Sequence, residues 1–256
     1  MAAFKIRYVG GPTAVLELGG LRFVVDPTFD GPGEYPIGDR ALVKTAGPAF
    51  GPAEIGTVDA VLLSHDQHPD NLDTQGRAYL ASAPLVLSTA SARERVGDPV
   101  RTLPNWDEVE LPRPDGRMLR VIGVPAQHGP DGTEQWTGEV TGFVLAGEGV
   151  PTVYVSGDNA SLDVVQRIAD RIGDIAVAVL FAGGAQTPLL GDAFLTLPSE
   201  GAAEAAKILG ARHVVPLHFE QWEHFSQGAD TLVAAFQKAG LAGLLHLPKP
   251  GEQIEL

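Results

Sequence analysis

Four apolar runs in this chain end in polar turns that carry histidine or aspartate. They are VLLSHDQHPD, VIGVPAQHGP, VYVSGDN and HVVPLHFE. The side chains able to do chemistry there are His65 and His68, then His128, Asp158 and His218. Imidazole and carboxylate are the donors that hold a zinc-like ion, and rigid elements with an open coordination position let such an ion activate water. One histidine after a strand is usually a hydrogen-bonded loop residue. Five such residues at four strand ends point to a metal centre. His213 and His246 sit at the start of a strand and inside an apolar run, which suits structural roles.

Converging turns require strands that share a direction, so that their carboxyl ends meet at one sheet edge. The chain is patterned accordingly. Lys5–Tyr8, Thr13–Leu18 and Leu21–Val25 read as strands, with Gly19-Gly20 as a hairpin turn and Asp26-Pro27 at the end of the third. Residues 28–57 are rich in Gly and Pro and read as a long loop, suited to a lid or pocket wall. Val58–Leu63 and Pro84–Ser88 are short buried strands, and Val100–Arg120 reads as strands broken by turns. Arg120–Val124, Thr141–Leu145, Thr152–Val155, Ile175–Phe181, His213–Leu217 and Leu244–Leu247 follow as strands. Helices are predicted from an Asp73 cap to about Ser82, over Ser161–Ile172 ended by Gly173, over Glu200–Leu209 ended by Gly210, and over Asp230–Ala239 with Asp230 as cap. A β-rich first half followed by alternating strands and helices predicts one compact α/β domain over residues 1–256 with two packed sheets.

The 256 residues carry a formal charge of −14 and no cysteine. Disulfides and thiolate ligands are thereby excluded. The acidic field disfavours nucleic acid and anionic membranes, so the expected partner is a small-molecule substrate. No apolar run is long enough for a membrane span. The first residues do not read as a signal peptide, so a cytoplasmic setting is expected. A homo-oligomer is compatible with all of this.

These segments together resemble the metallo-β-lactamase superfamily, in particular its UlaG-like branch of metal-dependent hydrolases. TAVLELGGLRFVVDPTF resembles the opening strands and their Asp-Pro turn. SHDQHPDNLD resembles the His-x-His-x-Asp-His signature, and AQHGP, SGDN and PLHFE resemble the three later ligand segments in the same order. The resemblance implies a four-layer αβ/βα sandwich with a metal site at one edge. It implies a first site of His65, His68 and His128, and a second of Asp70, Asn71, Asp158 and His218. Zn2+ is the ion expected, one or two per chain, with Mn2+ or Fe2+ as alternatives.

Two departures stand out. One residue is inserted, so His65 and His68 are three apart and converge only if the loop turns rather than alternating like a strand. The final signature position is Asn71. An amide oxygen is a weaker donor than imidazole, so the second ion is weak or absent, or a harder ion sits there, or Asn71 turns away into the loop.

The implied function is hydrolysis of a small ester, lactone or phosphoester, the ion lowering the pKa of its bound water. Asp70 is typed as base and orienter of that water. Asp66 and Asp73 are either partners that fix imidazole tautomers or, respectively, a solvated acid and a helix cap. In HFEQWEHFSQG, His224 is a candidate catalytic donor to a substrate anion or leaving group. Trp222 and Phe225 are either a pocket wall or an anchor for the last helix. Gly129–Trp136 is a candidate pocket rim, and Gly183–Ala185 a candidate source of backbone N–H groups. A nuclease, an iron-dependent oxidoreductase of the same fold and a non-catalytic metal binder are the alternatives.

Overall fold

The computed structural model describes residues 3–256. In chain order the elements are β1 (Phe4–Gly10), β2 (Thr13–Leu18), β3 (Leu21–Val25), β4 (Gly33–Ile37), β5 (Arg40–Lys44), α1 (Pro52–Ile55), β6 (Ala60–Leu62), α2 (Thr74–Leu80), β7 (Val86–Ser88), α3 (Ala90–Val96) and β8 (Val100–Thr102). The second half holds β9 (Glu108–Pro112), β10 (Met118–Pro125), α4 (Glu134–Thr137), β11 (Thr141–Gly147), β12 (Val153–Val155), α5 (Leu162–Ile172), β13 (Val177–Phe181), α6 (Ser199–Leu209), β14 (His213–Leu217), α7 (Ala229–Lys238) and β15 (Gln253–Glu255).

Alternation along the strands creates two apolar faces per sheet, and each must be covered. A seven-stranded sheet runs β15-β1-β2-β3-β6-β7-β8, and a six-stranded sheet runs β14-β13-β12-β11-β10-β9. Phe4, Ile6, Tyr8 and Phe23 of the first meet Phe143, Val179, Phe181 and Leu217 of the second in a central core. On the outer face of the second sheet, Tyr154, Ala178 and Leu180 pack under Val164, Val165 and Ile168 of α5 and the alanines of α6. On the outer face of the first, Val24, Val61 and Val86 lie under Tyr79 and Leu80 of α2. Each fully buried Val, Leu or Phe contributes roughly 1.5–3 kcal/mol. The result is the expected helix–sheet–sheet–helix sandwich.

Strand direction places the turns. β12, β13 and β14 are parallel. β10 and β12 are both antiparallel to β11, so they run the same way. The ends of β10, β12 and β14 therefore share one edge. The turn after β6 joins them from the other sheet, where the Thr141 amide donates to the Ser64 carbonyl at 3.1 Å.

Several local readings need correction. The segment 28–57 contains the β4–β5 hairpin and the short helix α1. Helix α3 lies in a stretch for which no helix was predicted. Leu244–Leu247 is not a strand: a 3-10 turn covers Ala242–Leu244, and the chain closes instead with β15 paired to β1. Gly228, not Asp230, precedes the first turn of α7, its amide donating to Thr231 Oγ1 at 3.0 Å. The caps at Asp73 and Ser161 are as read, each side chain accepting a hydrogen bond from the first turn. Among the described residues no helix is long and apolar enough to cross a membrane.

Candidate metal centre

The turn after β6 is held from below by Asp26, at the end of β3. Asp26 is fully buried. It accepts from the Ser64 amide at 2.6 Å, the Ser64 hydroxyl at 2.5 Å and Asn71 Nδ2 at 3.1 Å. Since the Ser64 proton goes to Asp26, Ser64 Oγ acts as acceptor toward His65 Nδ1, 2.9 Å away. That assigns the proton to His65 Nδ1 and leaves Nε2 with its lone pair facing the site. His128 is set in the same way: Nδ1 donates to the Leu195 carbonyl at 2.7 Å, so its Nε2 is also an open donor atom. Burial pushes Asp26 up to about 7 despite the opposing hydrogen bonds from Ser64 and Asn71.

These nitrogens converge. The chain bends through residues 66–68 and turns over 69–71, which brings His65 Nε2 to 3.0 Å from His68 Nδ1. His128 Nε2 lies 3.3 Å from His68 Nδ1 and 3.5 Å from Asp158 Oδ2. Ligand atoms of His65, His68, His128 and Asp158 all lie within 4.8 Å of one another. Burial holds His65 well below the ordinary imidazole value, and burial with the neighbouring His128 brings His68 down to about 4. Three ring nitrogens and one carboxylate oxygen thus face a common point, where neutral lone pairs repel unless a cation lies between them. This set of nitrogen and oxygen donors fits an ion of zinc type.

A second cluster adjoins the first. Asp70 Oδ2 lies 3.1 Å from His218 Nε2 and 3.0 Å from His224 Nε2. His218 Nδ1 is 3.0 Å from Asp158 Oδ1. Asp158 thereby turns one oxygen to each cluster. His218 adopts φ +56, and its amide donates to the Gly11 carbonyl at 2.7 Å. Left-handed backbone at a non-glycine residue costs of order 1 kcal/mol or more and persists where the surroundings impose it. Two glycines allow the close approach: a Cβ on Gly183 would sit 2.4 Å from the His218 carbonyl oxygen, and one on Gly157, at φ +57, 2.7 Å from the Thr141 carbonyl oxygen.

The charges in this cluster predict a pH profile for the metal-free protein. Burial disfavours His218 as a cation, yet Asp158 and Asp70 raise it to about 10. Burial alone would raise both carboxyls, but His224 and His218 hold Asp70, and His218 and His128 hold Asp158, well below the usual carboxylate range. The histidine's contribution is complete below the unfolded value of about 6.5 and is lost as pH rises through about 10. The carboxylates contribute above their unfolded values and lose that contribution as pH falls through their depressed ones. Chelator-treated protein should melt highest between these limits. A Tm flat from near neutrality to beyond pH 10 would show that His218 is neutral.

Asn71 is buried beside Asp158. Its Nδ2 donates to Asp26 Oδ2 at 3.1 Å and to Asp158 Oδ1 at 3.2 Å, while Oδ1 has no partner. Exchanging the amide atoms would set an oxygen against two carboxylate oxygens, so the orientation follows from the network.

Other candidates are drawn elsewhere. Asp66 accepts from Arg95 Nε and Nη2 and faces Arg77, so it fixes no imidazole. Asp73 caps α2 through Gly76 and pairs with buried Lys44 at 3.2 Å. Trp222 is buried, edge-on to Tyr35 and 5.4 Å from the Lys44 ammonium, which makes it a support for the β4–β5 hairpin. Phe225 packs on His218 and His224 at 4.7 and 4.5 Å between ring centres. The amides of Gly184 and Ala185 are already bonded, to the Leu197 carbonyl and Thr196 Oγ1. His213 and His246 bond each other at 3.0 Å, with His213 at the opening of β14. Asp26, Ser64 and Lys44 were not singled out from sequence. An Asp-Pro turn closing an apolar strand was the available sign for Asp26.

Above the clusters lies a cavity of about 540 Å3. His68, Asp70, His128, Asp158 and His224 contribute to its lining, together with the hairpin tip from Ile37 to Leu42, the turn Gln135–Thr137 and residues Ala185–Leu190. The long segment 28–57 and part of the 129–136 rim are thus pocket walls. Trp136 and Leu189 are each more than half exposed.

Two packed mixed sheets flanked by helices, with ligand-bearing turns gathered at one edge, define a protein of metallo-β-lactamase type. Residues 21–219 match the beta-lactamase superfamily domain. The chain is 31% identical over 260 residues to a UPF0173 metal-dependent hydrolase of Pelotomaculum thermopropionicum, covering 98% of this chain and 100% of that one. It is 24% identical over 257 residues to a UPF0173 metal-dependent hydrolase of Pyrococcus abyssi, covering 98% and 99%. In fold it is similar to a possible metal-dependent hydrolase from Veillonella parvula, with a TM-score of 0.84 at 17% identity over 100% of both chains. The chain belongs to the UPF0173 metal-dependent hydrolase family of the metallo-β-lactamase superfamily.

Proposed function

We propose that the protein hydrolyses a small ester or lactone that bears one carboxylate, using Zn2+ held by the two clusters, in the manner of the UlaG-like hydrolases. The observation that carries this reading is Asp158, which faces both clusters on the wall of a largely apolar cavity. Among the described residues, Arg40 is the one Lys or Arg lining that cavity. A phosphoester would call for more positive charge, and an uncharged or singly anionic acyl substrate suits the lining better.

The chemistry an ion held there would supply is polarisation of the scissile carbonyl and a lowered pKa of bound water. The chain's own residues do the rest. His65, His68, His128 and Asp158 would hold one ion, with Ser64, Asp26 and the Leu195 carbonyl fixing two of the imidazoles. Asp70 Oδ2 lies against His218 Nε2 and His224 Nε2 at 3.1 and 3.0 Å. Asp70 Oδ1 is buried and has no hydrogen-bond partner, so it is free to orient the attacking water and take its proton. Arg40, whose Nη1 donates to Thr187 Oγ1 at 2.7 Å, pairs with the substrate carboxylate.

The test is metal analysis of protein purified without added metal, followed by a panel of lactones, esters and phosphodiesters. Bound zinc and turnover of lactones or esters are expected. Arg40→Ala should raise KM for a carboxylate-bearing ester by about 10–100-fold, the worth of a charged hydrogen bond, and leave its uncharged analogue little changed. Preference for phosphodiesters would remove the acyl reading. No transition metal, and no turnover after Zn2+ or Mn2+ is added back, would remove the hydrolase reading.

A further inference from the structure

The geometry points to His224 as the protein ligand that replaces the missing signature histidine at Asn71, completing a second metal site with Asp70, His218 and the shared Asp158. This rests on the metal-dependent reading above. It changes the role of His224 from a free proton donor to a ligand.

The position of Asn71 leaves a vacancy in the donor set. Its amide hydrogens point at Asp26 and Asp158, so its nitrogen side is committed to holding two carboxylates in place. A group that donates hydrogen bonds to Asp158 cannot at the same time present that face to a cation. Asn71 thus braces the shared carboxylate through its nitrogen, while its oxygen has no partner.

His224 supplies what is missing. It comes from the turn after β14, six positions beyond His218, a place the signature does not anticipate. Its Nε2 is 3.0 Å from Asp70 Oδ2. The ligand atoms of Asp70, His218 and His224 lie within 4.8 Å of one another. Phe225 packs against both imidazoles, so the two rings are held as a unit. Asp70 Oδ1 is buried without a partner, an acceptor that the polypeptide leaves open beside this cluster. With the shared Asp158 the second site thus has two carboxylates and two imidazoles, against three imidazoles and one carboxylate in the first.

Zinc stoichiometry by equilibrium dialysis and elemental analysis tests this without reference to turnover. Wild-type protein should hold two ions. His224→Ala should hold one, with the loss in second-ion affinity exceeding the roughly 10–100-fold expected for removal of an outer hydrogen-bond partner. His224→Gln is the discriminating variant. Its amide can still donate to Asp70, so it would rescue a positioning role, but it should not rescue a ligand. Asn71→Ser should retain both ions.

Two ions retained in His224→Gln, or one ion lost in Asn71→Ser with His224→Ala unchanged, would overturn the proposal. Wild-type protein that holds one ion and still hydrolyses esters would overturn it alone and leave the hydrolase reading standing. Wild-type protein that binds no ion would overturn both.

Discussion

Asp158→Asn is expected to lower hydrolysis by on the order of 1000-fold or more and to strip metal from both clusters. The shape of the side chain is kept, so the change tests charge. Asp158 is within a few ångströms of His65, His128 and His218, and it accepts from Asn71 as well. Among the described residues, Asp158 is the one carboxylate paired with histidines of both groups. Metal activation stabilises charge in the transition state by several kcal/mol, and each 1.36 kcal/mol is about tenfold in rate. Loss of the shared carboxylate should therefore reach thousandfold once both ions weaken. Metal analysis beside kcat/KM checks it. A variant that keeps its full metal content and loses less than about tenfold in rate would show that Asp158 is not the bridge.

Asp73→Ala is expected to have the largest effect on stability, about 3–5 kcal/mol, the cost of leaving a buried charge uncompensated. The side chains of Lys44 and Asp73 are 1% and 0% exposed. Burial pulls the Lys44 ammonium below its ordinary value, against the pull of Asp73. Asp73 also accepts from the amides of Gly76 and Asp30, so the substitution removes a helix cap and the tie between α2 and the chain after β3. Against a typical folding free energy of 5–15 kcal/mol that is a large fraction, readable by urea or thermal unfolding. The double change Lys44→Met with Asp73→Ser removes both charges and keeps a capping hydroxyl. It should recover most of the loss. If Asp73→Ala alone costs under about 1 kcal/mol, the ion pair is worth no more than a surface one.

The effect would extend to the site. Lys44 closes the β4–β5 hairpin and packs beneath Trp222, and the tip of that hairpin is a wall of the cavity. Loosening the pair frees Arg40 as well as α2. Stability and the shape of the cavity thus share a support in this protein.

Much of the design was legible in one dimension. An apolar strand that ends in a polar turn advertises itself by local contrast, and this located the four turns carrying His65, His68, His128, Asp158 and His218. Caps work through contacts a few residues away, so Asp73 and Ser161 were readable, as was the end of α5 at Gly173. The β4–β5 hairpin was not, since GEYPIGDRALVK has little alternation and is held by contacts such as Trp222 that come from far along the chain. The last strand was misplaced for a related reason. Leu244–Leu247 is apolar because it packs on the helical layer, whereas β15 is a polar edge strand recognised only by its pairing with β1.

The division is sharpest at Asn71 and His224. Sequence determined the donor types, their order along the chain, the absence of thiolate and the departure at the signature's last position. Tertiary structure decided what that departure does: it turned the Asn71 amide toward Asp26 and Asp158 and brought a histidine from beyond β14 to Asp70. It also sent Asp66 to Arg95, Asp73 to Lys44, and Asp26 to the turn that orients His65. Each of these outcomes depends on which distant group competes for a buried hydrogen bond or charge. Local spacing carries no record of that competition, since only the packed sheets bring the competitors within reach.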